Sequence, residues 1–494
     1  MSNLNATFCS GIKNKSMKLY VLCMLIVCQI LPSSACSGEM YKTALTEEQE
    51  TSLENTLFVA PDGVATNTGT QSSPLDLYSA ISKINIGGTI YVKGGVYKLT
   101  KDVNLDKKGR EDAPYKLWAY ENEKPVFDFI EQVGTSGHNT GIRFNNGTWW
   151  HVKGLEVCNS YSAGFRILNG SHITIENCSS HHNGGPGFHI GYPHGEAINL
   201  DGEKAAYNTF LNCDSYNNFD WRTMSNGRPR AGTNADGFSC QSSTGKGNRY
   251  IGCRAWSNSD DGWDFYECGY ALQLINCWVW STGVMEDHKA MYLMRTGKEL
   301  TADAWDGNGN GFKIGGGHLF NASVACEQES KGIHVIRGCI SFNNKMFGFD
   351  SNHHRYGAIM ENCLAFNNNG NISYRHANVE GYSYVLRNNI SFNGKNKDRF
   401  ENITISVNEG NTWNQPNITT NPITEFISLS VEDAKAPRGI NGELPTKFGR
   451  LTPNSKYINA GVATLEINNS RDEIHLPAIP YLGTAPDLGA FEKK

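Results

Sequence analysis

The stretch Asn258-Ser-Asp-Asp-Gly-Trp-Asp-Phe265 sets three carboxylates, Asp260, Asp261 and Asp264, within five positions of a chain whose formal net charge is only -5 over 494 residues. Two chemistries account for such a cluster. One is a solvated acidic loop; the other is a hard-cation site, because Ca²⁺ takes several carboxylate oxygens converging from a fixed backbone. Asp236, in "NADGF", stands 25 residues before Asp261, and Lys313, in "GNGFKIGGG", stands 49 residues after Asp264. Whether these groups meet depends on the backbone that carries them.

Composition narrows that backbone. Glycine at 52 residues, a hydrophobic share of 39% and 11% aromatics describe a turn-rich, well-packed β protein rather than a disordered chain. A net negative chain offers no basic face, which argues against nucleic acid as a partner. Residues 1–36 read as an export segment, with the apolar run "LYVLCMLIVCQIL" followed by "PSSAC". Its last residue, Cys36, resembles the lipidated cysteine of a bacterial lipoprotein, and ordinary signal cleavage is the alternative. Residues 37–56 read as a polar tether, and 57–494 as the folded domain. The expected location is therefore the periplasm or the cell surface, or else the medium. A membrane is met only through the anchor, and a monomer is expected.

An internal repeat sets the architecture. Cysteine, an aromatic or His three positions on and Asn four or five positions on recur from Cys178, Cys213, Cys253, Cys339 and Cys363, with a weaker copy at Cys277. Several intervals are 24 or 26 residues, and a glycine followed by an aromatic falls nine positions after the first residue in several copies, as in Gly187-Phe188, Gly262-Trp263 and Gly348-Phe349. A period near 24 with short β-rich runs predicts an all-β chain, a parallel β-helix of about ten coils in which like residues stack into ladders. The six cysteines sharing one ladder position read as buried thiols acting as small apolar residues. They lack the CxxC spacing of a zinc site.

The repeat supplies coordinates for the carboxylates. Asp236 and Asp261 hold one position in successive coils, ~4.8 Å apart. Asp236, Asp260, Asp261 and Asp264 then converge on one face, and like charges so close raise one another's pKa values unless a cation intervenes. Oxygen-only ligands favour Ca²⁺ over Zn²⁺ or Cu²⁺. Lys313 falls in the column of Asp264, and its 49-residue separation predicts two coils and ~9.6 Å between them. The bland alternative is a lysine facing solvent beside a Gly-rich turn.

"NADGF", "SDDGWDF" and "GNGFKIGG" together resemble polysaccharide lyase family 9, whose members are right-handed parallel β-helices acting on pectic polymers. The resemblance covers most of residues 57–494, and is more specific in these motifs than in the opening segment 57–97 or the closing segments 451–461 and 483–492. It implies Asp236, Asp260, Asp261 and Asp264 as Ca²⁺ ligands, Lys313 as the base that removes a sugar C5 proton, and a polygalacturonate or rhamnogalacturonan I substrate. Arg166, Arg228, Arg230, Arg295 and Arg355 are candidates for uronate carboxylates, and Tyr266, Tyr292 and Trp305 for sugar stacking. Two rivals share the β-helix. A polygalacturonase-type hydrolase would use paired acids, but "GHG" and "RIK" are missing after "NAD" and "DD". A non-catalytic, Ca²⁺-stabilised glycan binder would need no Lys313.

Overall fold

The computed structural model describes residues 55–493 apart from 135–138, 192–201, 242–243, 267, 317–331, 416–417 and 419–421. The expected export segment, Cys36 and the tether up to residue 54 lie outside the described residues. Three parallel sheets wind about one axis. The first has twelve strands, from Thr56–Val59 to Ile405–Glu409; the second and third have ten each. The helix Leu77–Lys83 packs Leu77, Ala80 and Ile81 inward at the first coil, and Asp76 caps it by accepting from the Ser79 N–H at 2.9 Å. This is the parallel β-helix expected from the repeat.

Each mark of the repeat has a structural reason. The aromatics after the glycines, Phe165, Phe188, Phe238, Trp263, Phe312 and Phe349, pair in register along the second sheet and fill the interior. Their ring centroids are 4.7–5.0 Å apart, an offset-stacking distance set by the strand spacing. The residue before each ladder cysteine turns the chain with positive φ, and it is Asn177, Asn212, Gly252, Asn276, Gly338 and Asn362 in turn. Asn and Gly are the residues that enter this region at least cost.

The cysteines are buried free thiols. Each hangs on the coil before it, Cys253 donating to Phe210 O at 3.4 Å and Cys277 to Tyr250 O at 3.4 Å.

The asparagine five positions after each cysteine forms a second ladder inside the turn. Asn183 Nδ2 donates to Asn218 Oδ1 at 2.8 Å, and Asn218 Nδ2 to Asn258 Oδ1 at 2.9 Å. Thr282 continues the column by donating its hydroxyl to Asn344 Oδ1 at 2.8 Å, and Asn344 Nδ2 reaches Asn368 Oδ1 at 2.9 Å. A buried amide has four hydrogen-bonding sites to satisfy, and here the coil above and the coil below satisfy them.

The closing segment does more than end the solenoid, because it runs back along the outside of the third sheet. Phe426, Phe448, Tyr457 and Leu488 cover Trp278, Trp280, Phe342 and Phe366. Its polar anchor is Arg438, which shares the Asp214 carboxylate with Arg254 at 2.6–2.7 Å. Burial works against the charged Asp214, but Arg438 and Arg254 outweigh it and hold the pKa below the ordinary value.

Two outcomes follow. Asn218→Ala leaves buried partners on both neighbouring coils unsatisfied, at a cost of about 2–4 kcal/mol, read as a fall in the urea midpoint. Because the folded-state pKa of Asp214 is depressed, its contribution is complete above about pH 3.9 and is lost as pH falls through the lower folded value. Limited proteolysis around residue 438 should therefore begin on acidification in wild type, and at neutral pH in Asp214→Ala.

Candidate active site

The outward column of the second sheet reads Arg143, Arg166, His189, Ser239, Asp264, Lys313, Asp350. Alternation along a strand turns these side chains away from the interior aromatics beside them. Asp264 and Lys313 are direct register partners in adjacent coils. The expected two-coil gap is thus corrected to one. The extra chain between them is spent on an insertion containing the 3-10 turn Met285–His288 and the helix Lys289–Thr296, which packs Met291 and Tyr292 against Phe219 and Trp221.

Asp236 and Asp261 owe their convergence to the glycines that follow them, Gly237 and Gly262. A Cβ on Gly237 would come within 2.7 Å of Ala255 Cβ and Gly262 O, and one on Gly262 within 2.2 Å of Val279 Cγ2. Only glycine lets adjacent coils approach there, and the residue just before it is placed at the same height in each coil. Asp236 and Asp261 are consequently stacked, with the Asp261 N–H donating to Asp236 Oδ1 at 3.2 Å. In the next coil the same place is held by Asn310, which donates its backbone N–H and its Nδ2 to Asp261 Oδ1 at 2.7 and 2.9 Å.

Oxygens of Asp236, Asp261 and Asp264 lie within 4.8 Å of one another, and all three residues are buried. Lys313 Nζ closes the group, 2.9 Å from Asp261 Oδ2 and 3.3 Å from Asp264 Oδ2. Gln241 Nε2 donates to Asp264 Oδ2 at 3.1 Å, while Asp264 Oδ1 is buried without a hydrogen-bond donor. Asp260 is also buried, but its oxygens are not in the triad, and its Oδ1 accepts from the Asn308 N–H at 3.3 Å.

Burial first, then the Asp264 and Asp261 charges, raises Asp236 well above its usual value; burial, then Asp261 and Asp236, does the same for Asp260. Asp264 is pushed up to about 6, again by burial first. For Lys313 burial alone would lower the pKa, but Asp261, Asp264, Asp260 and Asp236 together raise it well above the usual lysine value. The site thus holds more buried negative charge than one ammonium balances. With an orphaned carboxylate oxygen inside it, the donor set fits a hard divalent cation.

The other sequence candidates are dispersed. Arg166 is in the active column, and its buried Nε has no partner. Arg228 and Arg230 line a cavity of about 690 Å³ with Asp303, Trp305 and Asp306, where Arg230 is paired to Asp306. Arg295 lies over Trp221 and donates to Asn159 O at 3.2 Å, and Arg355 donates to Ala377 O at 3.1 Å. Tyr292 is corrected, since it is buried in the insertion's own core and offers no face to a sugar. Trp305 is stacked on His288 at 5.5 Å, and Tyr266 remains partly exposed. Asn310, Gln241 and Asn308 escaped the sequence reading. Asn310 alone carried a signal, because it precedes Gly311-Phe312 as Asp236 precedes Gly237-Phe238.

A single solenoid with buried carboxylates and a lysine on one outer column has the form of a β-helix enzyme acting on polysaccharides. Residues 57–396 match the family described as Pel9A-like, right handed beta helix region, and the chain belongs to that family. Pectate lyase L of Dickeya dadantii (strain 3937) is 30% identical over 90% of this chain and 91% of its own length. Pectate lyase L of Paenibacillus polymyxa (strain SC2) is 31% identical over 86% and 90%. Among solved structures, pectate lyase Pel9A aligns with TM-score 0.69 at 30% identity, covering 89% of this chain and 96% of that one. A rhamnogalacturonan lyase aligns with TM-score 0.65 at 25% identity, covering 81% and 97%. The chain is a polysaccharide lyase with a right-handed β-helix.

Lys313→Met removes the cation paired with Asp261 and Asp264, which is expected to cost about 3–5 kcal/mol at pH 8 in chelator. Thermal melting with and without added divalent cation checks this, and the cation should recover most of the loss.

Proposed function

We propose that the protein cleaves 4-linked galacturonate chains of pectin by β-elimination, with Ca²⁺ held by Asp236, Asp261 and Asp264, Asp260 beside them, and Lys313 as the base. The observation that carries this reading is Lys313 Nζ seated between Asp261 and Asp264 on the outward column. When bound, Ca²⁺ would act there as a Lewis acid toward the uronate carboxylate next to C5 and offset the charge of the triad.

The chain's own residues do the rest. Asp261 and Asp264 fix the direction of the Lys313 side chain, which is only 12% exposed. Asn310 and Gln241 hold those two carboxylates in turn, so the base is positioned before substrate arrives. The carboxylates favour the Lys313 ammonium, so the amine must shed that proton once their charge is offset, and in its neutral form it takes the C5 proton. The electron pair forms the C4=C5 double bond, the C4–O bond breaks, and the departing sugar oxygen takes a proton from water.

A rhamnogalacturonan I backbone presents the same 4-linked uronate, and the similarity to a rhamnogalacturonan lyase supports it as the second reading. The apolar run and Cys36 support export with a lipid anchor.

Ultraviolet absorbance of the unsaturated uronate, followed on polygalacturonate and on rhamnogalacturonan I, tests both readings. Absorbance should rise on polygalacturonate with Ca²⁺, vanish with chelator, and fall at least ~10³-fold in Lys313→Ala, the loss of a general base. A rise only on rhamnogalacturonan I selects the second reading. Undiminished activity in Lys313→Ala would sink the assigned role.

A further inference from the structure

On the outside of the third sheet a column of stacked rings, Phe392, Phe366, Phe342, Trp280, Trp256 and Tyr216, runs toward the N-terminal coils. The next positions in register are His181, Cys158 and Asp128. The column therefore changes from stacking rings to groups that bind metals. One donor atom each from Glu156, Cys158 and His181 lies within 4.8 Å of the others. They come from two adjacent strands, Glu156–Cys158 and Ser179–His181.

The second ring nitrogen of His181 has its own partner. Its Nδ1 lies 2.7 Å from His182 Nδ1, while its Nε2 lies 3.2 Å from Glu156 Oε1. His182 Nδ1 therefore stands within hydrogen-bonding distance of His181 Nδ1 and can hold the ring in place. The other ring nitrogen, Nε2, faces Glu156 in the group that Cys158 completes. A metal-ligating histidine is commonly fixed in this way, by donating its other N–H to an acceptor.

We propose that Glu156, Cys158 and His181 form a second metal site, for a borderline-soft divalent cation of the Zn²⁺ class, with His182 orienting His181. Mixed sulfur, nitrogen and oxygen donors suit Zn²⁺ and are foreign to Ca²⁺. The surrounding charges are Asp128, which accepts from Lys98 and from Asn159 Nδ2, and Arg295, which donates to Asn159 O. A thiol ligates as the thiolate, so metal binding at Cys158 would release a proton. The site lies on the third sheet, whereas the lyase column lies on the second. It would clip two coils together beside Asn159, where Arg295 of the insertion docks.

The test uses the full chain, stripped with chelator and titrated with Co²⁺. Wild type should show a thiolate-to-cobalt charge-transfer band in the near ultraviolet that saturates at one Co²⁺ per chain, and the band should persist in Asp236→Asn. Cys158→Ser should abolish it. His181→Gln, which keeps the thiol, should weaken Co²⁺ binding at least tenfold. No band in wild type, or an unchanged band in Cys158→Ser, overturns the proposal. Should a variant fail to fold, wild type alone decides: Zn²⁺ must co-elute with it one to one on gel filtration in the presence of excess Ca²⁺, and its absence overturns the site.

Discussion

Parallel strands held in register at a spacing of ~4.8 Å are the constraint on which the rest of this molecule depends. Each coil sets its residues directly on those of the coil before. Flat rings and amides gain from this arrangement, and the interior aromatic stack and the Asn183, Asn218, Asn258 ladder use it. Carboxylates lose by it, since burial and mutual repulsion both oppose their charge. Asp236 and Asp261 are stacked in spite of that, with Asp264 beside them, and the Lys313 ammonium is drawn in among them. A solenoid holding so many uncompensated charges in one place is organised for something other than its own stability.

Stability comes from the other faces. The third sheet is sealed by the returning C-terminal segment and by the Asp214 bridge to Arg254 and Arg438. Insertions are placed so that Asp264 and Lys313 stay in register on adjacent strands while Met285–His288 and Lys289–Thr296 pack with Phe219 and Trp221. Asp264 and Lys313 therefore sit on paired strands, and the inserted chain leaves their register undisturbed. The buried carboxylates and Lys313 are thereby spread over three successive coils.

The repeat could be read because stacking makes coils resemble one another. Cysteine, aromatic, Asn and the Gly-aromatic pair each occupy a position with one steric or hydrogen-bonding demand, so the same residue types return at the period. The carboxylate column and its alignment with Lys313 were legible for the same reason. The axial separation of Asp264 and Lys313 was not, because chain length counts an insertion and a coil alike. The burial of Tyr292 was not legible on similar grounds: its helix packs with Phe219 and Trp221, a contact that follows no repeat. Gln241 and Asn308 are ordinary polar residues whose roles exist only through what lies opposite them.

By itself the sequence determined the β-helix, the ladders and the set Asp236, Asp260, Asp261, Asp264 and Lys313, since all of these follow from periodicity within single coils. Tertiary structure decided how many coils separate Lys313 from the carboxylates and which oxygens meet within one triad. It also decided that Glu156 and Cys158 face His181 across a strand pair. Those relations depend on register between distant segments and on where inserted chain is stored. Neither is encoded in local residue order, because a strand's partner is selected by the packing of the whole solenoid.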